Sequence, residues 1–146
     1  GDIHYVEDLP AESLIVSCDE AQIGQVLTNL LKNAAEAIAE HDDADKVAQG
    51  EIRVRIAARC DEVELSVADN GIGLPKTHRE RITEPYVTTR EKGTGLGLAI
   101  VNKIVADHGG RLELANRDGG GAEARIIFDR LSRAEADTLI VARKSA

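Results

Sequence analysis

A glycine-rich stretch directly before an aliphatic run constrains this chain more than any other feature. Gly93, Gly95 and Gly97 alternate within EKGTGLGLAIV, residues 91–101, and the pattern predicts a buried helix from about Gly95 to His108. Glycine is costly inside a helix, but it lets a ligand approach the backbone closely. The stretch is therefore typical of an anion site at a helix N-terminus, and also of a helix that packs tightly against its neighbours.

Hydrophobic periodicity divides the rest of the chain into one long helix and several short strands. The helix runs from Glu20 to about Glu40, with Asp19 as its N-cap, and Gly109-Gly110 stops the later helix. Alternating apolar residues predict six strands, at residues 3–9, 13–18, 51–60, 62–70, 111–116 and 122–130. This order predicts an α+β sandwich with helices on one face of a mixed sheet.

Composition excludes several classes of function. The 146 residues carry a net charge of −8, which argues against nucleic acid or an anionic membrane as the main partner. Cys18 and Cys60 form no CxxC pair, so we expect reduced cysteines in a cytoplasmic protein, without a disulfide or a metal site. No apolar run is long enough for a membrane span, and Gly1 with the absence of Met predicts a fragment of a longer protein.

Two asparagines lie one helical turn apart in the long predicted helix. Asn29 and Asn33, in NLLKNAAEAI, share one face of that helix beside its apolar stripe. Amides in that position are costly unless they find partners. They are interpreted either as structural amides bonded to the backbone or as oxygen ligands of a hard cation such as Mg²⁺.

A carboxylate and two glycines follow the fourth predicted strand. In VADNGIGLP, residues 67–75, the strand runs into Asp69 and Asn70, with Gly71 and Gly73 close behind them. The segment is interpreted as a plain Asp-Gly turn, or as an acceptor for an exocyclic amine beside glycines that admit a flat ring.

The connection from Gly71 to Gly93 has no periodicity, which is typical of a long functional loop. Arg90 and Lys92 lie at its end and can donate charge-assisted hydrogen bonds to a polyphosphate, although they are equally typical of a solvated loop. The chain lacks the lysine of a P-loop, and no strand directly precedes the glycines as a dinucleotide fingerprint requires.

Taken in order, these blocks resemble the nucleotide-binding boxes of the GHKL superfamily, and specifically the catalytic ATP-binding domain of bacterial sensor histidine kinases. NLLKNAAEA resembles the N box, DNGIG the first glycine box, EPYVTT the F box and GTGLGLAIV the second glycine box. GGRLELANRDGGGAEARIIF is similar to the closing hairpin of the family. Tyr86, where many members have Phe, makes the pattern most like that of NtrY-type nitrogen-regulation kinases.

The resemblance implies a Bergerat-type two-layer sandwich, with about five strands in a mixed sheet and three helices on one face. It assigns residues 1–131 to the ATP-binding domain and 132–146 to a C-terminal tail. ATP and Mg²⁺ are the implied ligands: Asn33 holds Mg²⁺ with Asn29 beside it, and Asp69 accepts the adenine amine. The other implied nucleotide contacts are Ala37, Gly71, Ile72, Gly73, Leu74, Arg90, Lys92, Gly93, Thr94, Gly95, Leu96, Gly97 and Leu98.

Two features of the resemblance bear on the chemistry. In the hydrolysing members, the position of Asn29 resembles a glutamate that activates water, and an amide cannot act as that base. Arg90 and Lys92 are then implied, with Asn29 and Asn33, to act on the phosphates during transfer. Ala122 replaces a Thr that is common in the family, which makes a hydroxyl contact there doubtful.

The histidines determine the implied partners. His4, His41, His78 and His108 all lack the H-E-x-x-x-P context of a phosphoacceptor, and His108 is interpreted as a helix-terminal residue. The implied partners are therefore a separate dimerisation and phosphoacceptor domain and, downstream, a response regulator. The fragment is expected to be a monomer from a homodimeric parent, cytoplasmic itself whether or not the parent has an inner-membrane anchor. An anti-sigma-type serine kinase and a non-catalytic nucleotide sensor remain alternatives.

Overall fold

The computed structural model describes residues 3–12, 14–39, 49–74 and 97–130. Within these ranges the chain forms five strands and two helices. In chain order they are β1 (His4–Asp8), α1 (Glu20–Ala39), β2 (Glu51–Arg59), β3 (Glu62–Asp69), α2 (Gly97–Asp107), β4 (Arg111–Asn116) and β5 (Ala122–Asp129).

The strands form a single mixed sheet. Their order is β1-β2-β3-β5-β4, with β1 parallel to β2 and every other neighbouring pair antiparallel. Val67 of the central strand β3 lies opposite Val54 on one side and Ala124 on the other, so small and β-branched residues line one face. The predicted mixed sheet of about five strands and the predicted β2–β3 hairpin are confirmed.

Both helices pack on that apolar face of the sheet. One buried cluster joins Val26 and Leu30 of α1 and Val101 and Val105 of α2 to residues of the strands, among them Ile52, Val67, Ile126 and Phe128. The core is almost entirely aliphatic, as the sequence requires. This arrangement confirms the two-layer α+β sandwich, and the third helix that we predicted lies outside the described residues.

Helix α1 begins where its capping residue predicts. The Asp19 carboxylate accepts a hydrogen bond from the Gln22 N–H at 3.1 Å, and Glu20 places negative charge beside the helix N-terminus. Apolar residues then recur every three or four positions and face the sheet, which confirms the predicted helix.

Helix α2 ends in the glycine pair that predicted its termination. Gly109 adopts a φ of 73°, and the N–H groups of Gly110 and Gly109 donate to the carbonyls of Val105 and Ala106 at 2.9 and 3.0 Å. This is a Schellman motif, which satisfies carbonyls that the helix leaves unpaired.

The strand predicted at 13–18 is wrong. Among its described residues only Ile15 makes an isolated bridge, and the segment otherwise connects β1 to α1 without a ladder. Its apolar residues still serve the core: Leu14, Ile15 and Val16 are half-buried, and Val16 packs against the main cluster. Apolar residues that cover a core edge produce the same sequence pattern as a strand.

His108 links the end of α2 to the beginning of α1. Its Nδ1 lies 2.7 Å from the Ile104 carbonyl oxygen, so this nitrogen carries the proton, and Nε2 accepts the Asp19 N–H at 3.0 Å. Its ring also meets Phe128 edge-on at 6.3 Å between centroids. His108 is thus a helix-terminal residue, as predicted, and it additionally fixes where α2 ends against α1.

Replacing His108 by Ala should lower the free energy of unfolding by about 1–3 kcal/mol, because the Asp19 N–H loses its acceptor and the Phe128 ring loses its edge-on neighbour. Urea denaturation followed by circular dichroism measures this change. His4→Ala, on the exposed face of β1, is the matched control and should stay within about 0.5 kcal/mol of the parent domain. Equal effects of the two substitutions would contradict the linking role.

Candidate functional site

A buried carboxylate marks the end of the central strand. Asp69 is only 6% exposed, and its Oδ1 accepts hydrogen bonds from the Gly71 N–H at 2.9 Å and the Ala122 N–H at 3.4 Å. A buried charge is costly unless it is hydrogen-bonded, and here two backbone donors hold it in one orientation. Asp69 is therefore a fixed acceptor on the helix-covered side of the sheet.

The loop after Asp69 is held by its own side chains and by α1. Asn70 donates from Nδ2 to the Gln49 carbonyl at 2.9 Å and accepts the Glu51 N–H at 2.8 Å, so it joins the loop to the start of β2. The Ile72 N–H donates to the Ala37 carbonyl at 3.2 Å. The chain bends at Gly71 and Ile72, and the loop contacts both the sheet and α1.

Gly71 has a packing reason to be glycine. A Cβ at this position would collide with the backbone of Ala37 and Ile38 at the end of α1. The loop can approach α1 this closely only without a side chain at residue 71, and the close approach brings Asp69 beside the helix. Gly73, with a φ of 81°, then adopts a backbone conformation that other residues rarely adopt.

Three of the predicted nucleotide contacts lie along one line of α1. Asn29, Asn33 and Ala37 follow at intervals of four residues and so share one face. Ala37 is buried at the end of this line, where its carbonyl meets the loop, whereas both asparagines are half-buried. This row of residues ends at Ala37, which contacts the loop that follows Asp69.

Asn33 has an unsatisfied polar atom. Its amide nitrogen Nδ2 is buried and has no hydrogen-bond partner in the part of the chain that the structure describes. Leaving such a group unpaired costs about 1–3 kcal/mol. A buried amide kept at that cost, on the same face of α1 as Ala37, is typical of a group that awaits a polar ligand.

The residues present fit a magnesium ion that takes most of its ligands from elsewhere. Among the described residues there is no group of three or more His, Cys, Asp or Glu side chains that could hold a metal. Mg²⁺ commonly binds through one or two protein oxygens together with substrate phosphates and water. In the Asn33 side chain the amide oxygen is the atom that could join such a partial shell, whereas the unpaired nitrogen Nδ2 suits an acceptor such as a phosphate oxygen.

The N-terminus of α2 is the last described element to which the predicted phosphate contacts belong. His108 fixes the other end of α2 at the start of α1, and the two helices pack together. The 11 residues of α2 span about 16 Å, so its N-terminus at Gly97 lies about that far from the end that His108 joins to α1. Leu98, the next residue, is half-buried against the core.

The other predicted contacts cannot be placed, because they lie outside the described residues. They are Arg90, Lys92, Gly93, Thr94, Gly95 and Leu96.

Sequence reasoning missed the contribution of the β4–β5 turn to this site. Asn116 bonds the backbone of Leu74 twice, and Arg117 donates to the Asp69 carbonyl at 2.8 Å. Asn116 ends a predicted strand, and Arg117 begins a glycine-rich turn. That pattern indicates a hairpin, but it contains no signal for a contact with residues more than 40 positions earlier.

A cavity of about 390 Å³ on the opposite face of the sheet is a weaker candidate. It is lined by Arg55, Ala57, Ala58, Glu64, Ser66, Glu123 and Arg125. Its charges already pair with one another or with neighbours: Arg125 lies 3.7 Å from Glu64 and 3.4 Å from Glu123, and Arg55 lies 3.4 Å from Asp8. Nearby, hydrogen bonds first to Glu62 and then to Glu113 raise the pKa of Arg111 above its ordinary value. This face is an ion-pair network.

Comparison with known proteins assigns this architecture to a family. The family model described as histidine kinase-, DNA gyrase B-, and HSP90-like ATPase matches residues 18–132. The chain belongs to this family. The matched region contains both helices and four of the five strands, together with Asn33, Asp69 and the β4–β5 turn.

Within the family the chain is similar to sensor histidine kinases of the NtrY type. It is 52% identical over 111 residues to the nitrogen regulation protein NtrY of Azorhizobium caulinodans, an alignment that covers 75% of this chain and 14% of that relative. The chain thus corresponds to about a seventh of the length of that protein. No helix in the described ranges is long and apolar enough to span a bilayer.

Two solved structures share the fold. Full-length ShkA in complex with AMPPNP matches with a TM-score of 0.74 at 29% identity, over 89% of this chain and 26% of ShkA. Histidine kinase ThkA in complex with the response regulator protein TrrA matches with a TM-score of 0.71 at 31% identity, over 88% of this chain and 34% of ThkA.

Replacing Asn33 by Leu should stabilise the ligand-free domain by about 1 kcal/mol, because it removes a buried donor without a partner at similar side-chain volume. The same substitution should abolish tight binding of Mg·ATP. Denaturant unfolding and calorimetric titration measure the two effects.

Asn29→Leu, one turn earlier on the same helix, is the matched control and should change stability less. A destabilised Asn33→Leu variant, or one with unchanged nucleotide affinity, would contradict the assignment of Asn33 to a ligand.

Proposed function

We propose that this domain binds Mg·ATP between α1 and the loop after β3 and donates the γ-phosphoryl group to a histidine of a separate domain. The parent protein is then a sensor kinase of a two-component system. The observation that carries the proposal is the pairing of a fixed buried acceptor, Asp69, with an unsatisfied buried amide, Asn33, in a chain of this family.

Adenine recognition follows from the surroundings of Asp69. The carboxylate would accept the exocyclic amine, and Gly73 would support the ring from the backbone, as the family resemblance implies. Gly71 serves packing, because the backbone of Ala37 fills the space that a side chain there would need. Ile72, which is 47% exposed, and the half-buried Leu74 offer apolar contact area close to the carboxylate. An apolar site with one oriented polar group is the usual form of a small-ligand pocket.

The phosphates extend from that loop toward the two asparagines. Asn33 would hold Mg²⁺ through its amide oxygen, with Asn29 beside it, and the bound ion would neutralise charge on the phosphate oxygens. The N-terminus of α2 at Gly97 would turn the positive end of the helix dipole toward the phosphates. Arg90 and Lys92 would add cations, and Gly93, Thr94, Gly95 and Leu96 would let the backbone surround the phosphates.

The domain would hold ATP without hydrolysing it rapidly. Asn29 occupies the position from which a carboxylate could activate water, and an amide has no such basicity near neutral pH. Transfer instead requires an imidazole nitrogen in line with the γ-phosphorus: the N–P bond forms, the bond to the bridging oxygen breaks, ADP leaves and the imidazole loses its N–H proton. The contribution of the domain is to position and stabilise the phosphates.

The acceptor histidine would come from another domain. His108 is occupied by its bonds to Ile104 and Asp19, and His4 lies on the exposed edge strand β1. His41 and His78 are outside the described residues. The ThkA structure, which holds a response regulator protein, supports the further proposal that a response regulator receives the phosphoryl group downstream. That the parent is a homodimer is part of the same proposal and rests on the family resemblance.

Asp69 should set the identity of the base. Guanine presents a carbonyl where adenine presents its amine, so the parent domain should bind ATP roughly 10- to 100-fold more tightly than GTP. In Asp69→Asn the amide oxygen can still accept the Gly71 and Ala122 N–H groups, yet the preference should shrink because the charged acceptor is gone. Calorimetry with both nucleotides measures the ratio, and equal affinities in the parent domain would contradict the role of Asp69.

Phosphoryl transfer is tested with γ-labelled ATP. The domain alone should remain unlabelled and release phosphate slowly, whereas fusion to its own dimerisation domain should produce acid-labile label there. Asn33→Ala in the same fusion is the control and should remove the label.

Three other results would each contradict the proposal. Acid-stable label on a serine of an added partner would indicate an anti-sigma-type kinase, and rapid phosphate release would indicate a hydrolase. Nucleotide binding without any transfer in the fusion would indicate a nucleotide-sensing module.

A further inference from the structure

The turn between β4 and β5 holds the loop that follows Asp69. Asn116, the last residue of β4, accepts the Leu74 N–H on Oδ1 at 2.6 Å and donates from Nδ2 to the Leu74 carbonyl at 3.2 Å. One side chain thereby makes the pair of bonds that a neighbouring strand would make. Leu74 is linked in this way to a part of the chain 42 residues away.

The rest of the turn contacts the other end of the same loop. Arg117 donates to the Asp69 carbonyl oxygen at 2.8 Å, and a Cβ at Gly121 would collide with that oxygen. Gly119, Gly120 and Gly121 all have positive φ, so the turn adopts a shape that ordinary residues would resist. The turn therefore contacts Asp69, the last residue of β3, and Leu74, five residues further along the chain.

Asn116 contributes these bonds without being needed to close the core. Its side chain lies at the exposed end of β4, and its strand pairs with Ala122 through the backbone. At Gly73 a Cβ would lie 3.0 Å from the Asn116 Oδ1, so the amide also limits how residue 73 can move. Among the described residues, the contacts of this loop with α1 involve Gly71 and Ile72.

We propose that Asn116 is a positioning residue for base recognition: it fixes Gly73 and Leu74 so that the loop is already in its binding conformation before the nucleotide arrives. This inference rests on the proposed function of the site. Without the two bonds the loop samples other conformations, and the binding-competent fraction, and with it the apparent affinity, falls.

The experiment compares Asn116→Ala with Asn102→Ala, an exposed asparagine on α2 that serves as the matched control. Asn116→Ala should weaken ADP binding by about three- to tenfold, the effect of losing one or two hydrogen bonds. Asn116→Asp keeps the acceptor for the Leu74 N–H and should lie between Asn116→Ala and the parent. Calorimetry gives the affinities, and thermal unfolding without ligand tests the fold.

Amide hydrogen exchange separates positioning from a general structural role. In ligand-free Asn116→Ala, exchange should accelerate at Leu74 while amides of the central strand β3 keep their protection and the melting temperature stays near that of the control. Unchanged ADP affinity, or a loss accompanied by faster exchange throughout β3, would overturn the inference. If the parent domain itself fails to bind ADP, the proposed function fails; if it binds and Asn116→Ala binds equally, only this inference does.

Discussion

The Asp69 carboxylate, bonded to the Gly71 and Ala122 N–H groups, is the interaction on which the arrangement of this domain depends. It lies at the end of the central strand and joins that strand to the loop behind it and to β5. A buried carboxylate tolerates little displacement of its donors, because an ionised group that loses them is left in apolar surroundings. The Asp69 side chain thus fixes the start of the loop, and the bonds from Ile72 to Ala37 and from Leu74 to Asn116 hold the residues that follow.

The second half of the candidate site depends on how the helices are placed. The core packs α1 and α2 on one face of the sheet, and the bond between His108 and the Asp19 N–H fixes their relative position along the helix axes. Within this rigid layer Asn33 keeps a buried nitrogen without a partner among the described residues. The domain thus maintains, at some expense of stability, a group that suits a ligand, as is common at binding sites.

Much of this structure is predictable from local sequence. The alternation in β2 and β3, the apolar spacing in α1 and the Gly109-Gly110 stop are short-range patterns, and each gave the correct element. The prediction of a strand at 13–18 was wrong for a related reason. The apolar residues of this segment cover the edge of the core, and their sequence pattern is the same as that of a strand. Local periodicity reports burial, and strand pairing is a separate, long-range property.

The candidate site was predictable only in part. The alignment of Asn29, Asn33 and Ala37 follows from helix geometry, and family resemblance pointed to Asp69. The two hydrogen bonds between Asn116 and Leu74 join residues 42 positions apart, and the hydrogen bond between Asp19 and His108 joins residues 89 positions apart. Such contacts depend on how the layers assemble, and no pattern within either segment encodes them.

The central claim is that nucleotide binds at Asn33 and the loop after Asp69, and a ¹⁵N-edited NMR titration with Mg·ADP tests it most directly. The side-chain amide of Asn33 gives its own resonances, as does that of the exposed Asn102 on α2. The account predicts that the Asn33 side-chain signals and the backbone signals of Ile72 and Leu74 shift together with one affinity, while Asn102 stays unchanged. Shifts confined to the ion-pair face around Ser66 and Arg125, with the Asn33 amide unmoved, would contradict it.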